Sequence, residues 1–163
     1  LLSSDSVRRK MFGVSQMPIG YGENLYRPEN RELVYETLFN QAAELLDRGL
    51  SVILDATFSS AQQRSKVVSL SQQHGGIPLF VLCQCPKSTA LTRIAARAAA
   101  GTGNSEARVD LYDLQAADFE PLHAEFPCVQ VDSTGLLVQQ SGAVFHKLGR
   151  LLRNSIDPEL ESK

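Results

Sequence analysis

Asp5 and Arg8, in Ser4-Asp5-Ser6-Val7-Arg8, stand directly behind a short apolar opening, Leu1-Leu2. One helical turn separates them, so both can face one cleft. A carboxylate there can accept a proton from a substrate hydroxyl. The guanidinium can grip an anionic group through two parallel hydrogen bonds. The same two residues also read as a helix N-cap aspartate beside a solvated arginine. Asp55, in Leu54-Asp55-Ala56-Thr57, closes another apolar run. Such an acid can hold Mg²⁺, directly or through water, beside a nucleotide phosphate. Alternatively, Asp55 or Thr57 caps the next segment. Arg93 and Arg97 lie four apart with no acid at that spacing, so two like charges share a helix face and an anionic ligand would relieve their repulsion. A solvated helix face is the alternative. Arg108 is a third candidate for the anion, and Arg64 points either into the same cleft or into water.

These residues need elements to position them. Apolar runs at residues 1–4, 51–56, 77–85 and 128–131 predict strands. Between them, apolar residues recur at spacings of three and four over 29–48 and on Leu91, Ile94, Ala95 and Ala98, which predicts helices. Further helices are expected at 6–12, from the candidate caps Ser59 and Ser60 to Gly75-Gly76, around 111–119, and at 144–152. Residues 14–29 read as a turn-rich loop, and 154–163 as a polar tail. Strands alternating with helices give an α/β fold, a three-layer sandwich with a mostly parallel sheet. Its strands are continuously apolar, as when helices cover both faces. Ligands of such sheets bind beyond the carboxyl ends of the strands, where Asp5, Asp55 and Asp132 all fall.

Composition narrows the function classes. With 163 residues, 43% of them apolar and 21% charged, the chain suits one domain with its own core. A net charge of −2 is not that of a strongly basic nucleic-acid platform. No apolar run approaches the ~20 residues needed to span a bilayer. Cys83, Cys85 and Cys128 form no disulfide framework and read as small buried hydrophobes in a reducing cytosol. His74, His123 and His146 show neither a carboxylate nor a metal spacing and read as surface or satisfied residues, and neither a nucleophile elbow nor a His-Glu-x-x-His motif is present. The chain opens without Met and without a signal-peptide layout, so it reads as a sequence entered midway.

Taken in order, the pieces resemble a P-loop kinase entered after its P-loop, of the AAA-type ATP-binding group that includes relatives of polynucleotide kinase, zeta toxin and gluconate kinase. Ser4-Asp5-Ser6-Val7-Arg8-Arg9-Lys10 is similar to the segment after that family's second strand, where a substrate-side aspartate and arginine lie. The stretch from Tyr21-Gly22-Glu23 to Pro28-Glu29 resembles its next loop, and Gly49-Leu50-Ser51-Val52-Ile53-Leu54-Asp55-Ala56-Thr57-Phe58 its third strand. Gln63-Arg64 matches the following helix start, and Ser105-Glu106-Ala107 and Phe119-Glu120-Pro121-Leu122 resemble its lid elements. The likeness runs from Leu1 to Val131.

It implies a kinase-like domain over 1–153 with a lid at about 93–121, using ATP and Mg²⁺ to phosphorylate a hydroxyl of a small molecule or a nucleic-acid end in the cytoplasm. Asp5 would be the base, Arg8 and Arg64 substrate contacts, and Asp55 with Thr57 the Mg²⁺ side. Arg93, Arg97 and Arg108 would meet the phosphates. No membrane partner is implied. One part of the pattern is missing, because no Gly-x-x-x-x-Gly-Lys-[Ser/Thr] occurs. The family's strand order would be 2-3-1-4-5, with the first strand and P-loop ahead of Leu1. The chain is then either a fragment, whose preceding segment belongs to the same parent chain, or a degenerate relative that binds a phosphate-bearing ligand or protein without turnover.

Overall fold

Leu2 and Ser3 form β1 (Leu2–Ser3), which runs without a loop into α1 (Ser4–Phe12). This computed structural model describes residues 1–13, 27–100, 109–123 and 126–156. The helix begins two residues earlier than the periodicity predicts, so Asp5 sits inside its first turn. Ser3 is the N-cap, with no side-chain cap bond. A carboxylate in the first turn and Arg9 and Lys10 in the last suit the helix dipole. Gly13, at φ +80°, ends the helix, and its N–H donates to the Arg9 carbonyl at 2.9 Å.

α2 (Pro28–Asp47) starts with proline where no N–H is needed. Its buried side chains, Val34, Tyr35, Leu38, Phe39 and Ala42, repeat at helical spacing as expected. With Val7 of α1 the first four of these form a core cluster, against which Leu2, Leu54, Phe58 and Val67 pack. β2 (Leu54–Asp55) pairs in parallel with β1, Leu2 opposite Leu54 and Ser3 opposite Asp55. The strand predicted over 51–56 shrinks to two residues because its partner offers only two. α3 (Ala61–Gln73) opens on a full capping box: Ser60 Oγ accepts from Gln63 N–H, and Gln63 Oε1 accepts from Ser60 N–H. Such a cap is worth about 1 kcal/mol.

β3 (Phe80–Gln84) pairs in parallel with β4 (Cys128–Asp132), from Phe80 opposite Cys128 to Gln84 opposite Asp132. Pairing starts at Phe80, whose N–H reaches the Pro127 carbonyl at 2.8 Å. The Phe80 and Phe126 rings meet edge to face at 5.5 Å. α4 (Lys87–Ala100) follows β3. A short 3₁₀ turn (Val109–Leu111) then leads into α5 (Tyr112–Ala117). α6 (Leu137–Ile156) begins seven residues before the expected 144 and runs on into the predicted tail. Leu137 and Val138 are exposed, so no core stripe marks that first turn in the sequence.

Among the described residues, β2 and β3 each have a single strand neighbour. The chain divides into two compact units, Leu1–Gly76 with Arg93–Pro121, and Ile77–Thr92 with Leu122–Lys163. Among the described residues, no helix is long and apolar enough to cross a membrane.

Two side-chain expectations change. Cys83, read as buried, is exposed together with Val81 on one face of β3, so this strand is not covered on both sides. His74 has a carboxylate after all, with Nδ1 2.6 Å from Asp47 Oδ1 across 27 residues of sequence.

Burial pushes the Cys128 thiol above its ordinary value near 9.0, against smaller opposing effects from a Leu82 backbone hydrogen bond and Lys147. The folded chain therefore keeps this proton to higher pH than the unfolded chain does. Its contribution to stability is complete below pH 9 and is lost as pH rises through the folded-state value. Melting temperatures across pH 8 to 11 (a range of roughly three units) are expected to fall less steeply in Cys128→Ala than in the wild type. Parallel curves would show that Cys128 contributes nothing to the alkaline loss.

Candidate active site

The parallel register of β1 and β2 decides where the two acids go. Ser3 stands opposite Asp55, and Asp5 follows Ser3 by two residues in the first turn of α1. Both carboxylates thus lie at the carboxyl edge of adjoining strands. Asp5 is part-buried, and Arg8 Nη1 donates to its Oδ1 at 2.5 Å. The arginine expected to grip a substrate anion is therefore also the partner that orients the acid. Asp55 is exposed at the end of β2. Thr57 Oγ1 lies 3.3 Å from Tyr35 Oη.

Among the described residues, no three His, Cys, Asp or Glu side chains gather as a metal cage. One exposed carboxylate with a hydroxyl two residues away nevertheless suits Mg²⁺. That ion keeps several waters and takes its remaining oxygens from one or two protein groups and substrate phosphates.

Arg64 corrects an expectation. It points neither into the cleft nor into water, being 0% exposed. Nη1 donates to the Phe58 and Ser59 carbonyls at 2.7 and 3.2 Å, and Nη2 to the Glu120 and Pro121 carbonyls, both at 3.0 Å. Its guanidinium carbon lies 5.5 Å from the centre of the Phe119 ring. A side chain so enclosed meets no substrate.

Arg93 and Arg97 are exposed on α4 while Ile94 is its buried side chain, and their four-residue spacing puts the two arginines on one outer face. Arg108, the glycine-containing stretch 101–107 and most of the expected loop before Pro28 lie outside the described residues. Asp132, the third strand-end acid, accepts from Thr134 N–H at 2.8 Å and from Thr134 Oγ1 at 2.7 Å, which makes a turn.

Tyr35 was legible only as a core position of α2. The signal available was its hydroxyl, since a buried tyrosine needs a partner for it. Here Oη accepts the Phe58 N–H at 3.0 Å. Beside it, a cavity of about 210 Å³ is lined by Arg31, Tyr35, Phe39, Gln63 and Lys66 among others.

A family model described as "AAA domain" matches residues 1–122. The chain belongs to the AAA domain family. Its α/β fold agrees with a P-loop, kinase-like architecture. A "putative kinase" from Chloroflexus aurantiacus, known from its crystal structure, superposes with a TM-score of 0.63 over 94% of this chain and 81% of that one, at 20% identity. At that identity the likeness speaks for the fold. Uncharacterized proteins of Mycobacterium bovis and Mycobacterium tuberculosis are 29% identical over 153 residues, 90% of this AAA-family chain. The chain spans 29% of the length of these relatives.

Proposed function

We propose that this AAA-family domain serves an ATP-dependent phosphotransferase acting on a hydroxyl of a small molecule or a nucleic-acid end. The observation that carries the reading is the β1–β2 register, which sets Ser3, two residues before Asp5, opposite Asp55 at the carboxyl edge. In this reading Asp5, oriented by Arg8, takes the proton from the acceptor hydroxyl. The acceptor oxygen then bonds to the γ-phosphorus, the bond from that phosphorus to the bridging oxygen breaks, and ADP leaves. Asp55 and Thr57 would hold Mg²⁺, which when bound neutralises charge on the β- and γ-phosphates. Arg93 and Arg97 supply further positive charge to the transferring group.

The phosphate-cradling loop is absent from this sequence and would come from the missing N-terminal segment of the same parent chain. Relatives more than three times as long support that, as does the exposure of Ile53 beside β2 and Val81 on β3. ATP use and free thiols suit the cytoplasm.

The missing Gly-Lys-[Ser/Thr] itself favours a second reading, an α/β module that binds a phosphate-bearing ligand or a protein without turnover. Transfer of labelled γ-phosphate from ATP separates the two. The parent chain is expected to phosphorylate a hydroxyl compound and to lose that activity in Asp5→Asn, while the 163 residues alone do neither. A parent chain with no such loop and no turnover would select the module. ATP turnover by the 163 residues alone, abolished by Asp55→Ala, would refute the need for the loop.

A further inference from the structure

The turn that follows Asp55 is held from several sides by side chains of other elements. Phe58 has φ +45°, and among the described residues it is the sole non-glycine at positive φ. A bulky side chain rarely adopts this conformation, which costs on the order of 1–3 kcal/mol unless the surroundings enforce it. Several groups enforce it here. Tyr35 Oη accepts the Phe58 N–H at 3.0 Å and lies 3.3 Å from Thr57 Oγ1. Arg64 takes the carbonyls of Phe58 and Ser59 from below and ties them to those of Glu120 and Pro121. Glu120 closes the bracket, its N–H donating to the Ser59 carbonyl at 2.9 Å and its Oε2 accepting from Ala61 N–H. The Phe58 ring itself sits against Tyr35 and Phe39, at 5.5 and 6.5 Å.

We infer that Tyr35 and Arg64 are positioning residues for the oxygen ligands at Asp55 and Thr57, holding the strained 57–60 turn so that a divalent cation meets both groups in one geometry. The inference rests on the proposed role of Asp55 as the cation-side acid. Neither Tyr35 nor Arg64 touches the cation. Tyr35 orients the Thr57 hydroxyl by direct contact and fixes the next peptide. Arg64 holds the Phe58 carbonyl, which belongs to the peptide after that one, and the Ser59 carbonyl beyond it. Such supporting groups commonly account for 10–100-fold in metal affinity.

Paramagnetic Mn²⁺ titrated into the ¹⁵N-labelled chain is the probe. In the wild type the amides of residues 55–57 are expected to broaden, and in Asp55→Asn they do not. Tyr35→Phe, which removes one oxygen from the core, is expected to require roughly tenfold more Mn²⁺ for the same broadening. It should also speed exchange of the Phe58 amide while exchange at Val34 and Leu38 stays unchanged. Arg64→Lys, which keeps the charge and loses the fork, should act in the same direction. Equal Mn²⁺ affinity in the wild type, Tyr35→Phe and Arg64→Lys overturns the inference. So does weaker binding accompanied by faster exchange throughout α2, since that is general loosening. Identical broadening in the wild type and Asp55→Asn instead removes the cation-side role of Asp55, and is recognised separately from the other two results.

Discussion

Arg97→Ala, made in a parent chain that carries a complete phosphate-binding loop, is expected to slow phosphotransfer by roughly 10³–10⁵. Its melting temperature should barely move. The size follows from what one guanidinium does for charge that develops on the transferring group in a water-poor site. The lack of a stability effect follows from location. Arg97 is exposed on α4, and the side chain that this helix buries is Ile94. Exposed substitutions of this kind shift stability by no more than about 0.5 kcal/mol. Arg93→Ala, one turn away on the same face, provides the internal comparison. Steady-state kinetics and thermal melts of both variants decide the matter. Unchanged turnover in both, with unaltered melting temperatures, would mean that the paired arginines are a solvated face.

Arg64→Ala has the opposite signature. The truncation removes a fully buried side chain whose nitrogens serve four backbone carbonyls and whose face covers Phe119. Each buried carbonyl left without its donor costs about 1–3 kcal/mol, which over those that find no other partner comes to about 3–5 kcal/mol. For a chain of this size that corresponds to a fall in melting temperature of roughly 6–20 °C. Lys66→Ala, two positions further along α3 and exposed, should stay within about 0.5 kcal/mol of the wild type. Thermal melts of the two variants test the contrast. An Arg64→Ala chain melting within a degree or two of the wild type would show that water replaces the guanidinium without loss.

Local patterns were legible wherever a residue's role depends on near neighbours. The buried stripe of α2 could be read from its spacing, because a helix packs one face and each turn repeats that demand. The cap at Ser60 could be read in the same way, because its partner Gln63 is three residues on. The strand-end position of Asp55 followed from a short apolar run that stops at a charge. The α/β class came from the alternation of such runs with helical periods.

Tertiary structure decided what depends on distant segments. Whether Asp5 and Asp55 would fall at the same edge of adjoining strands was set by pairing across some fifty residues, with Ser3 opposite Asp55 and Asp5 in the helical turn that follows Ser3. Arg64 looked like a surface or cleft arginine because two of its four acceptors, Glu120 and Pro121, lie 56 and 57 residues away. Tyr35 looked like one more core ring, yet its hydroxyl meets Thr57 and Phe58, 22 and 23 residues on. The positive φ of Phe58 has no sequence signal at all. Phenylalanine does not choose that conformation by itself, and only the combined hold of α2, α3 and the 119–121 segment makes it the lower-energy state.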